Sequence, residues 1–345
     1  GGPITKDNSG VEVYCTIFTA AESVLEKDLL WTGSDDGLIH VSKDGGKNWE
    51  NVTPVEAGKW MMWNCVETDP FKKGKAYFVG TKYKSDDFTP YIFKTEDYGK
   101  TWTKITNGID AMHFARCLRA DHKKPGLLYC GTEYGMYISY DDGANWKPFQ
   151  LNLPVVPITD LTIKNNDLIV ATQGRAFWII DDLTMVQQKD NNILNKNLYV
   201  YPVNDAYRFD GYQNQKPVNA GMNPPNGSVI NYFIKDFSDS ARLNIQIMDK
   251  DKKLIKTFSN KATEKANKIN DVSSGMNKFV WNMYYPPAER LDGQVLWHGS
   301  VPGPKAAPGQ YFYKIIAGKD SVEGSFNIKA NPVYNLSQQD YEAQF

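Results

Sequence analysis

The chain has 345 residues, which is long enough for two domains. Its 39 basic and 40 acidic side chains leave a net charge of −1, so the sequence gives no reason to expect a nucleic acid or another polyanion as a partner. No apolar run approaches the ~18–20 residues of a membrane-spanning helix, so no membrane span is predicted. The hydrophobic content of 41%, with 13% aromatic residues, fits a globular protein rich in β-strands.

The four cysteines, Cys15, Cys65, Cys117 and Cys130, all lie within predicted strands. No Cys-x-x-Cys motif or Cys/His spacing of the zinc-binding kind occurs, so neither a metal site nor a cofactor is predicted. Cys65 and Cys117 occupy matching places in two repeats, which is typical of small apolar residues in a core. Free core thiols are therefore predicted, with a disulfide as the open alternative.

An eight-residue phrase occurs three times in the first half of the chain, at 42–49, 95–102 and 139–146. Its shared pattern is hydroxyl-x-Asp-x-Gly-x-Asn/Thr-Trp, and it ends at Trp49, Trp102 and Trp146. A period of this size is typical of stacked or radial repeats. The strand-rich sequence around the phrase favours a β-propeller.

Each phrase predicts a hairpin turn that is stabilised by its own side chains. The Asp carboxylate can accept backbone N–H groups of the turn, and the Gly supplies a positive φ where a side chain would clash. The Trp can close the hairpin by burying its ring against neighbouring strands while its indole N–H finds a carbonyl. Asp44, Asp97 and Asp141 are therefore interpreted as structural, since a carboxylate repeated in every copy is a poor candidate for a unique acid or base.

A second phrase, made of two short strands, precedes each turn, and a fourth copy at 168–180 lacks the turn. Runs of β-branched and aromatic residues between glycine-bearing turns are typical of strands. We therefore expect about four blades between residues 11 and 185, within a first domain at 1–190 that holds the C-terminal blades of a propeller. Four blades would leave exposed sheet edges, which predicts that the remaining blades lie in a preceding segment or a second chain.

The second half of the chain has a different pattern. Residues 191–228 are rich in polar and turn-forming residues and are predicted to be a linker. Residues 229–330 contain five runs that alternate with period two, which predicts an Ig-like β-sandwich. The tail at 331–345 starts like a capped helix and stops within a turn, and the chain begins with Gly1 instead of Met. Both ends are therefore expected to be processed or truncated.

The repeated phrase resembles the Asp box of bacterial-neuraminidase-type (BNR) repeats, and the blades resemble those of sortilin-type propellers and xyloglucanase-like glycoside hydrolases. The stretch 31–46 is similar, nearly word for word, to large exported proteins of the Bacteroidetes that are commonly labelled glycosyl hydrolase or sortilin-like, and 157–161 and 171–179 add to the match. Residues 275–282 and 307–311 resemble the Ig-like domain that follows the propeller there.

This resemblance implies an all-β chain in which a partial Asp-box β-propeller of about four blades precedes an Ig-like β-sandwich. It also implies export to the periplasm, the cell surface or the medium. It says little about activity, because the hydrolase label in that group rests on the propeller itself and a fold does not determine a function.

Any functional site is expected on the face opposite the repeated turns, where the loops between strands two and three and those between blades lie. Aromatic rings can stack on sugars there, and paired carboxylates can act as acid and base. The simpler alternative is that the acidic residues are solvated and the rings pack. The candidate ligand-binding residues are Trp60, Trp63, Tyr83, His113, Arg116, Tyr134 and Arg175, and the candidate catalytic residues are Asp35, Asp36 and Asp160. Asp160 is also the predicted partner of Arg175.

Two functions of different classes follow. The first is an exported scaffold that binds a glycan or a protein on this face, and the alternative is a glycoside hydrolase of the xyloglucanase-like type that uses a carboxylate pair. A sialidase is disfavoured, because the chain has only six arginines and lacks the Arg-Ile-Pro phrase of that family. A subunit of a larger surface assembly, docked through exposed blade edges, is a third possibility.

Overall fold

The computed structural model describes residues 15–209, 221, 223–238, 240–289, 293 and 303–343. Within these residues the regular secondary structure is almost entirely β-strand, with two short α-helices and a few 3₁₀ turns, which confirms the all-β prediction. The chain divides into two compact units, Gly1–Leu183 and Thr184–Phe345. No described helix has both the length and the apolar character needed to cross a membrane.

Four antiparallel sheets follow one another along the first unit, and in each sheet consecutive strands pair as an up-and-down meander. The first sheet contains β1 (Ile17–Glu22), β2 (Leu30–Ser34), β3 (Ile39–Ser42) and β4 (Glu50–Asn51). The second contains β5 (Met62–Thr68), β6 (Ala76–Lys82), β7 (Asp87–Thr95) and β8 (Thr103–Lys104). The third contains β9 (Ala115–Ala120), β10 (Leu128–Thr132), β11 (Gly135–Ser139) and β12 (Lys147–Pro148). The fourth contains β13 (Ile158–Lys164), β14 (Asp167–Thr172) and β15 (Phe177–Ile180). Short 3₁₀ helices occur at Val55–Ala57 and Tyr83–Ser85.

Consecutive sheets of the first unit pack closely through aromatic side chains and glycines. The ring of Phe78 in the second sheet makes edge-to-face contacts with Trp31 of the first sheet, at a centroid distance of 6.0 Å, and with Trp63, at 5.8 Å. A Cβ atom at Gly33 would lie 2.6 Å from the Cβ of Trp63. Only glycine therefore allows the first two sheets to approach this closely.

The three copies of the repeated phrase, which we call the repeat turns, share one hydrogen-bond pattern. In the second copy, Asp97 Oδ1 accepts the backbone N–H of Thr101 at 2.8 Å, and Oδ2 accepts the Thr101 hydroxyl at 2.7 Å. Thr95 Oγ1 donates to Asp97 and accepts the N–H of Gly99 at 2.9 Å. The other two copies repeat these bonds. In the first copy, the corresponding donors lower the pKa of Asp44 to about 2, and the backbone N–H of Asn48 has the largest effect.

The tryptophan that ends each repeat turn contacts the preceding sheet in two of the three copies. Trp102 Nε1–H donates to the carbonyl of Val52 at 2.7 Å, and Trp146 Nε1–H donates to that of Ile105 at 2.8 Å. Trp49 instead donates to Gly46 in its own turn at 3.0 Å, and its side chain is 43% exposed. The prediction of a buried ring is therefore wrong for Trp49, since the described residues hold no earlier sheet for it to contact.

The fourth sheet lacks a repeat turn, as the sequence indicates, and has three strands among the described residues. Its last strand is uncovered on one face, where Phe177 is 76% exposed. Cys65, Cys117 and Cys130 are buried free thiols in strands, which confirms the prediction for these three. Cys15 is exposed and lies in a bend before β1, so its predicted place in a core strand is wrong.

The second unit contains two sheets and short helices. Its strands are β16 (Leu198–Val200), β17 (Ala206–Tyr207), β18 (Ser228–Ile234), β19 (Leu243–Met248), β20 (Leu254–Ser259), β21 (Gly275–Trp281), β22 (Gly309–Ala317) and β23 (Asp320–Lys329). Its helices are α1 (Thr184–Gln187) and α2 (Gln338–Glu342), with 3₁₀ turns at Asn191–Asn195 and Lys265–Asn267. One sheet has the order β16-β18-β21 and the other the order β17-β23-β22-β19-β20.

The two sheets of the second unit share one hydrophobic core. Trp281 of the three-stranded sheet is fully buried, and its ring centroid lies 5.5 Å from that of Tyr311 and 6.0 Å from that of Phe326 in the five-stranded sheet. β16 and β17, which fall within the predicted linker, pair with β18 and β23. The remainder of the predicted linker from 210 to 220, and residue 222, lie outside the described residues.

Replacing Asp97 with Ala should destabilise the first unit by about 1–3 kcal/mol, because the turn N–H and hydroxyl donors would lose their acceptor. The neighbouring change Glu96→Ala is the matched control. Glu96 forms an exposed ion pair with Lys72 at 3.0 Å and lies 3.8 Å from Lys75, which keeps two closer carboxylate partners without it, so the loss of Glu96 should cost about 0–1 kcal/mol. Urea unfolding of both variants measures the difference, and equal costs would contradict the structural role of Asp97.

Candidate functional site

Aromatic and charged side chains gather at one edge of the second and third sheets. They come from the turn after β6, from the start of β9 and from the turn between β10 and β11. The repeat turns follow β7 and β11, and neighbouring strands are antiparallel. The gathered side chains therefore lie at the edge opposite the repeat turns, where the sequence predicts a site.

The first part of this group is an aromatic–arginine cluster of Tyr83, Phe88, Phe114, Arg116 and Glu133. The rings of Tyr83 and Phe114 stack at 5.4 Å with an interplanar angle of 16°, and Phe88 lies 6.0 Å from Phe114. The Arg116 guanidinium is 5.2 Å from the Phe114 centroid, and its Nε is 2.5 Å from Glu133 Oε2. Stacking and a charge-assisted hydrogen bond thus hold the arginine in place.

The second part of the group is a histidine–tyrosine stack beside this cluster. The His113 ring stacks on Tyr134 at 4.8 Å, and its Nδ1 is 2.8 Å from the Tyr137 hydroxyl. Tyr134 is 50% exposed, so one face of its ring is open to a ligand. A fixed, partly exposed ring can bind the apolar face of a sugar or a peptide side chain at little entropic cost.

A separate line of charged residues crosses three sheets through their first strands. Arg119 of β9 contacts Asp160 of β13 through Nη2, at 2.7 Å, and Glu67 of β5 through Nη1, at 3.8 Å. Glu67 Oε1 also accepts the backbone N–H of Ala120 at 3.0 Å. Burial raises the pKa of Glu67 to about 7, although Arg119 acts to lower it. The line therefore holds one carboxyl group that is protonated below neutral pH beside a paired, exposed carboxylate.

The predicted catalytic carboxylates have structural hydrogen bonds. Asp35 Oδ1 accepts the N–H of Thr16 at 2.9 Å, and Asp36 accepts the hydroxyl of Ser34. Asp160 also accepts the N–H of Leu161 at 2.8 Å. The predicted pairing of Arg175 with Asp160 is wrong, because Asp160 pairs with Arg119, whereas the Arg175 guanidinium donates to the carbonyl of Gly174 at 2.9 Å.

Of the predicted ligand-binding residues, Tyr83, His113, Arg116 and Tyr134 come together at the same edge. Trp60 and Tyr83 line a small crevice beside them. Trp63 is different, because it is fully buried and its Nε1–H donates to the carbonyl of Gly37 at 2.9 Å. It packs in the core instead of facing a ligand.

Sequence reasoning missed Phe88, Phe114, Glu67 and Arg119. The position of Phe114 between His113 and Arg116 is a usable signal for the cluster. For Glu67 and Arg119, the signal is a charged residue that directly follows an apolar residue near the end of a first strand. Among the residues that the structure describes, no group of three or more His, Cys, Asp or Glu side chains is arranged to hold a metal ion.

The protonation of Glu67 should make stability depend on pH. The folded chain keeps the proton up to about pH 7, whereas the unfolded chain releases it near the ordinary pKa of 4.5. The free energy of unfolding should therefore fall as the pH rises from about 4.5 to 7, by roughly 3 kcal/mol at most. Urea unfolding across this range should show this slope reduced in Glu67→Gln and kept in Glu50→Gln, which changes an exposed carboxylate. Equal slopes in Glu67→Gln and the unchanged chain would refute the assignment.

Residues 37–175 match the sortilin family, Sortilin-Vps10 (sortilin, neurotensin receptor 3). The match covers less than half of the chain, includes all three repeat turns, and supports a β-propeller of that group for this stretch. No curated protein sequence matches the chain.

Several solved structures are similar to parts of the chain. YCF48 bound to a D1 peptide is 20% identical with a TM-score of 0.38, over 48% of this chain and 52% of that one. YCF48 from Cyanidioschyzon merolae is 17% identical with a TM-score of 0.38, over 50% and 55%. The GH74 xyloglucanase from Xanthomonas campestris is 12% identical with a TM-score of 0.40, over 64% and 36%. The chain thus spans roughly half or less of the length of these proteins.

Proposed function

We propose that the chain is part of an exported β-propeller that binds a glycan or a protein through the aromatic–arginine cluster and the adjacent His113–Tyr134 stack. The observation that supports this proposal is the set of immobilised rings and one arginine at the edge opposite the repeat turns. Loops on a rigid sheet scaffold are the usual place for binding residues. The ring faces suit sugar or apolar side chains, and the Arg116–Glu133 pair suits polar groups around them.

The proposed architecture follows the same interpretation. The repeat turns are Asp boxes, and residues 1–190 are about four C-terminal blades of a propeller whose remaining blades come from a preceding segment or a second chain. An Ig-like sandwich at 229–330 follows them, and its two sheets also include β16 and β17 from the predicted linker at 191–228. The protein would be exported by a member of the Bacteroidetes, to the periplasm, the cell surface or the medium.

Binding can be tested with a glycan array and a phage-displayed peptide library, both probed with the whole chain. Tyr134→Ala should weaken binding of any selected glycan or peptide about 10- to 100-fold, since truncation of a central aromatic contact typically costs about 1–3 kcal/mol. Phe71→Ala is the matched control, because Phe71 is an exposed ring in the β5–β6 loop at the opposite edge. If the selected ligands bind the Tyr134→Ala variant with the same affinity as the unchanged chain, the proposed site is refuted.

The alternative function is a glycoside hydrolase of the xyloglucanase-like type. It is supported by the line of Glu67, Arg119 and Asp160, because a carboxyl group with a pKa of about 7 beside a carboxylate is a combination that acid–base catalysis uses. Asp35 and Asp36 are weaker candidates, since they accept hydrogen bonds from Thr16 and Ser34 and are not part of this line of charged residues.

Release of reducing ends from soluble β-glucans tests this alternative. If the chain hydrolyses them, Glu67→Gln or Asp160→Asn should lower the rate at least about 100-fold, as expected for loss of an acid or base. Asp35→Asn and Asp36→Asn should have little effect. An unchanged rate in the Glu67 and Asp160 variants would exclude this pair, and absence of any release would leave the binding function alone.

A further inference from the structure

The repeat turns of the second and third sheets form a recurring contact with the sheet before them. A Cβ atom at Gly99 would lie 2.6 Å from the Cβ of Val52, and one at Gly143 would lie 2.5 Å from Cδ1 of Ile105. Val52 and Ile105 are buried, and each directly follows the short outer strand of its sheet. In both cases the carbonyl of the same β-branched residue accepts the tryptophan indole N–H.

A polar contact accompanies this recurring packing. In the second and third turns, the residue before the glycine has a positive φ, and its side chain contacts the preceding sheet. In the second turn the Tyr98 hydroxyl is 3.0 Å from Glu26 Oε1. In the third turn the carboxylate of Asp142 lies 2.8 Å from Lys75 Nζ and 2.7 Å from Lys94 Nζ. Each turn therefore joins its sheet to the previous one by apolar, hydrogen-bonded and polar contacts.

The first repeat turn has the same hydrogen-bond pattern, but no sheet precedes it among the described residues. Asp44 makes the same hydrogen bonds within the turn as Asp97 and Asp141. The nearest atoms to a Cβ at Gly46 belong to Leu30 and Trp49, both at 3.7 Å and both from its own sheet. The Trp49 ring is 43% exposed, compared with 3% for Trp146. The turn is formed, and none of the described residues supplies an earlier sheet that covers its surface.

We propose that this surface, formed by Gly45, Gly46 and Trp49, is a docking site for the outer strand of another antiparallel β-sheet of the same kind. The occupant is a strand that ends in a β-branched residue. Its side chain would cover Gly46, and its carbonyl would accept the Trp49 indole N–H in place of the carbonyl of Gly46. The two internal interfaces have this chemistry in common, and the surface of the first repeat turn carries the same glycine and tryptophan. The proposal rests on the proposed propeller architecture but not on its ligand.

The test adds one further sheet ahead of β1 in the whole chain. A second copy of residues 17–61 is inserted ahead of Ile17, with Phe in place of its copy of Trp49, so that oxidation at this position of the turn comes only from the original Trp49. Hydroxyl-radical footprinting then measures the oxidation of Trp49. We expect rapid oxidation in the unchanged chain and a loss of reactivity, to the level of Trp146, in the extended chain. The matched control carries Val52→Asp in the added copy, and there Trp49 should stay reactive.

Hydrogen exchange shows whether the added strands have folded. If they are protected and Trp49 remains as reactive as in the unchanged chain, the proposal is overturned. Protection of Trp49 that persists in the Val52→Asp control would also overturn it, because the β-branched contact would then be unnecessary. If a glycan or peptide whose binding depends on Tyr134 also protects Trp49 from oxidation, the surface formed by Gly45, Gly46 and Trp49 is part of the ligand site instead, and the docking proposal is overturned.

A second measurement does not depend on folding of the insertion. Trp102→Ala and Trp146→Ala should lower the Tm of the unchanged chain by about 5–15 °C, as expected for loss of a packed aromatic residue. Trp49→Ala should lower it by less than about 3 °C, because no preceding sheet in the described part of the chain packs against the Trp49 ring. An equal loss in all three would mean that the surface is already filled, which contradicts the proposal. Loss of Tyr134-dependent binding with intact Trp49 docking would refute only the proposed function.

Discussion

The carboxylate at the centre of each repeat turn is the constraint on which the first unit depends. It accepts a backbone N–H and a side-chain donor from the residue four positions ahead, so the turn closes through residues that are all local in sequence. Because these bonds need no partner from elsewhere, the first turn forms the same structure as the other two although its surroundings differ. In the second and third turns, closure of the turn places the glycine and the tryptophan against the preceding sheet.

Contacts between sheets use different chemistry at the same position. Tyr98 reaches Glu26 through a hydroxyl, whereas Asp142 joins two lysines and the hydroxyl of Tyr77. Removing charges from water is costly, and Asp142 offsets this cost with several donors, which keep its pKa below the ordinary value despite its partial burial. The repeated backbone geometry therefore tolerates variation, provided that each polar group finds a partner.

This division of roles leaves the opposite edge of the sheets available for binding. The repeat turns connect neighbouring sheets at one edge. Side chains at the other edge can therefore differ from sheet to sheet without weakening these contacts. Arg116, near the start of β9, uses that freedom, whereas Arg119, near the end of the same strand, contributes to the contacts between sheets. Arg116 is clamped between an aromatic ring and Glu133, which presents ring faces and a fixed charge. Arg119 bridges carboxyl groups of two neighbouring sheets, and burial beside it raises the pKa of Glu67.

The sequence by itself determined the local elements, because their causes are local. The spacing of hydroxyl, Asp, Gly and Trp predicted the turns, and alternating apolar runs predicted most of the strands, including the fourth repeat without its turn. Tertiary structure decided which side chains meet. The exposure of Trp49, the burial of Trp63 and the pairing of Asp160 with Arg119 instead of Arg175 all depend on residues about 40 or more positions away, or on a neighbouring sheet. Such distances are absent from a local pattern and exist only after the sheets have packed.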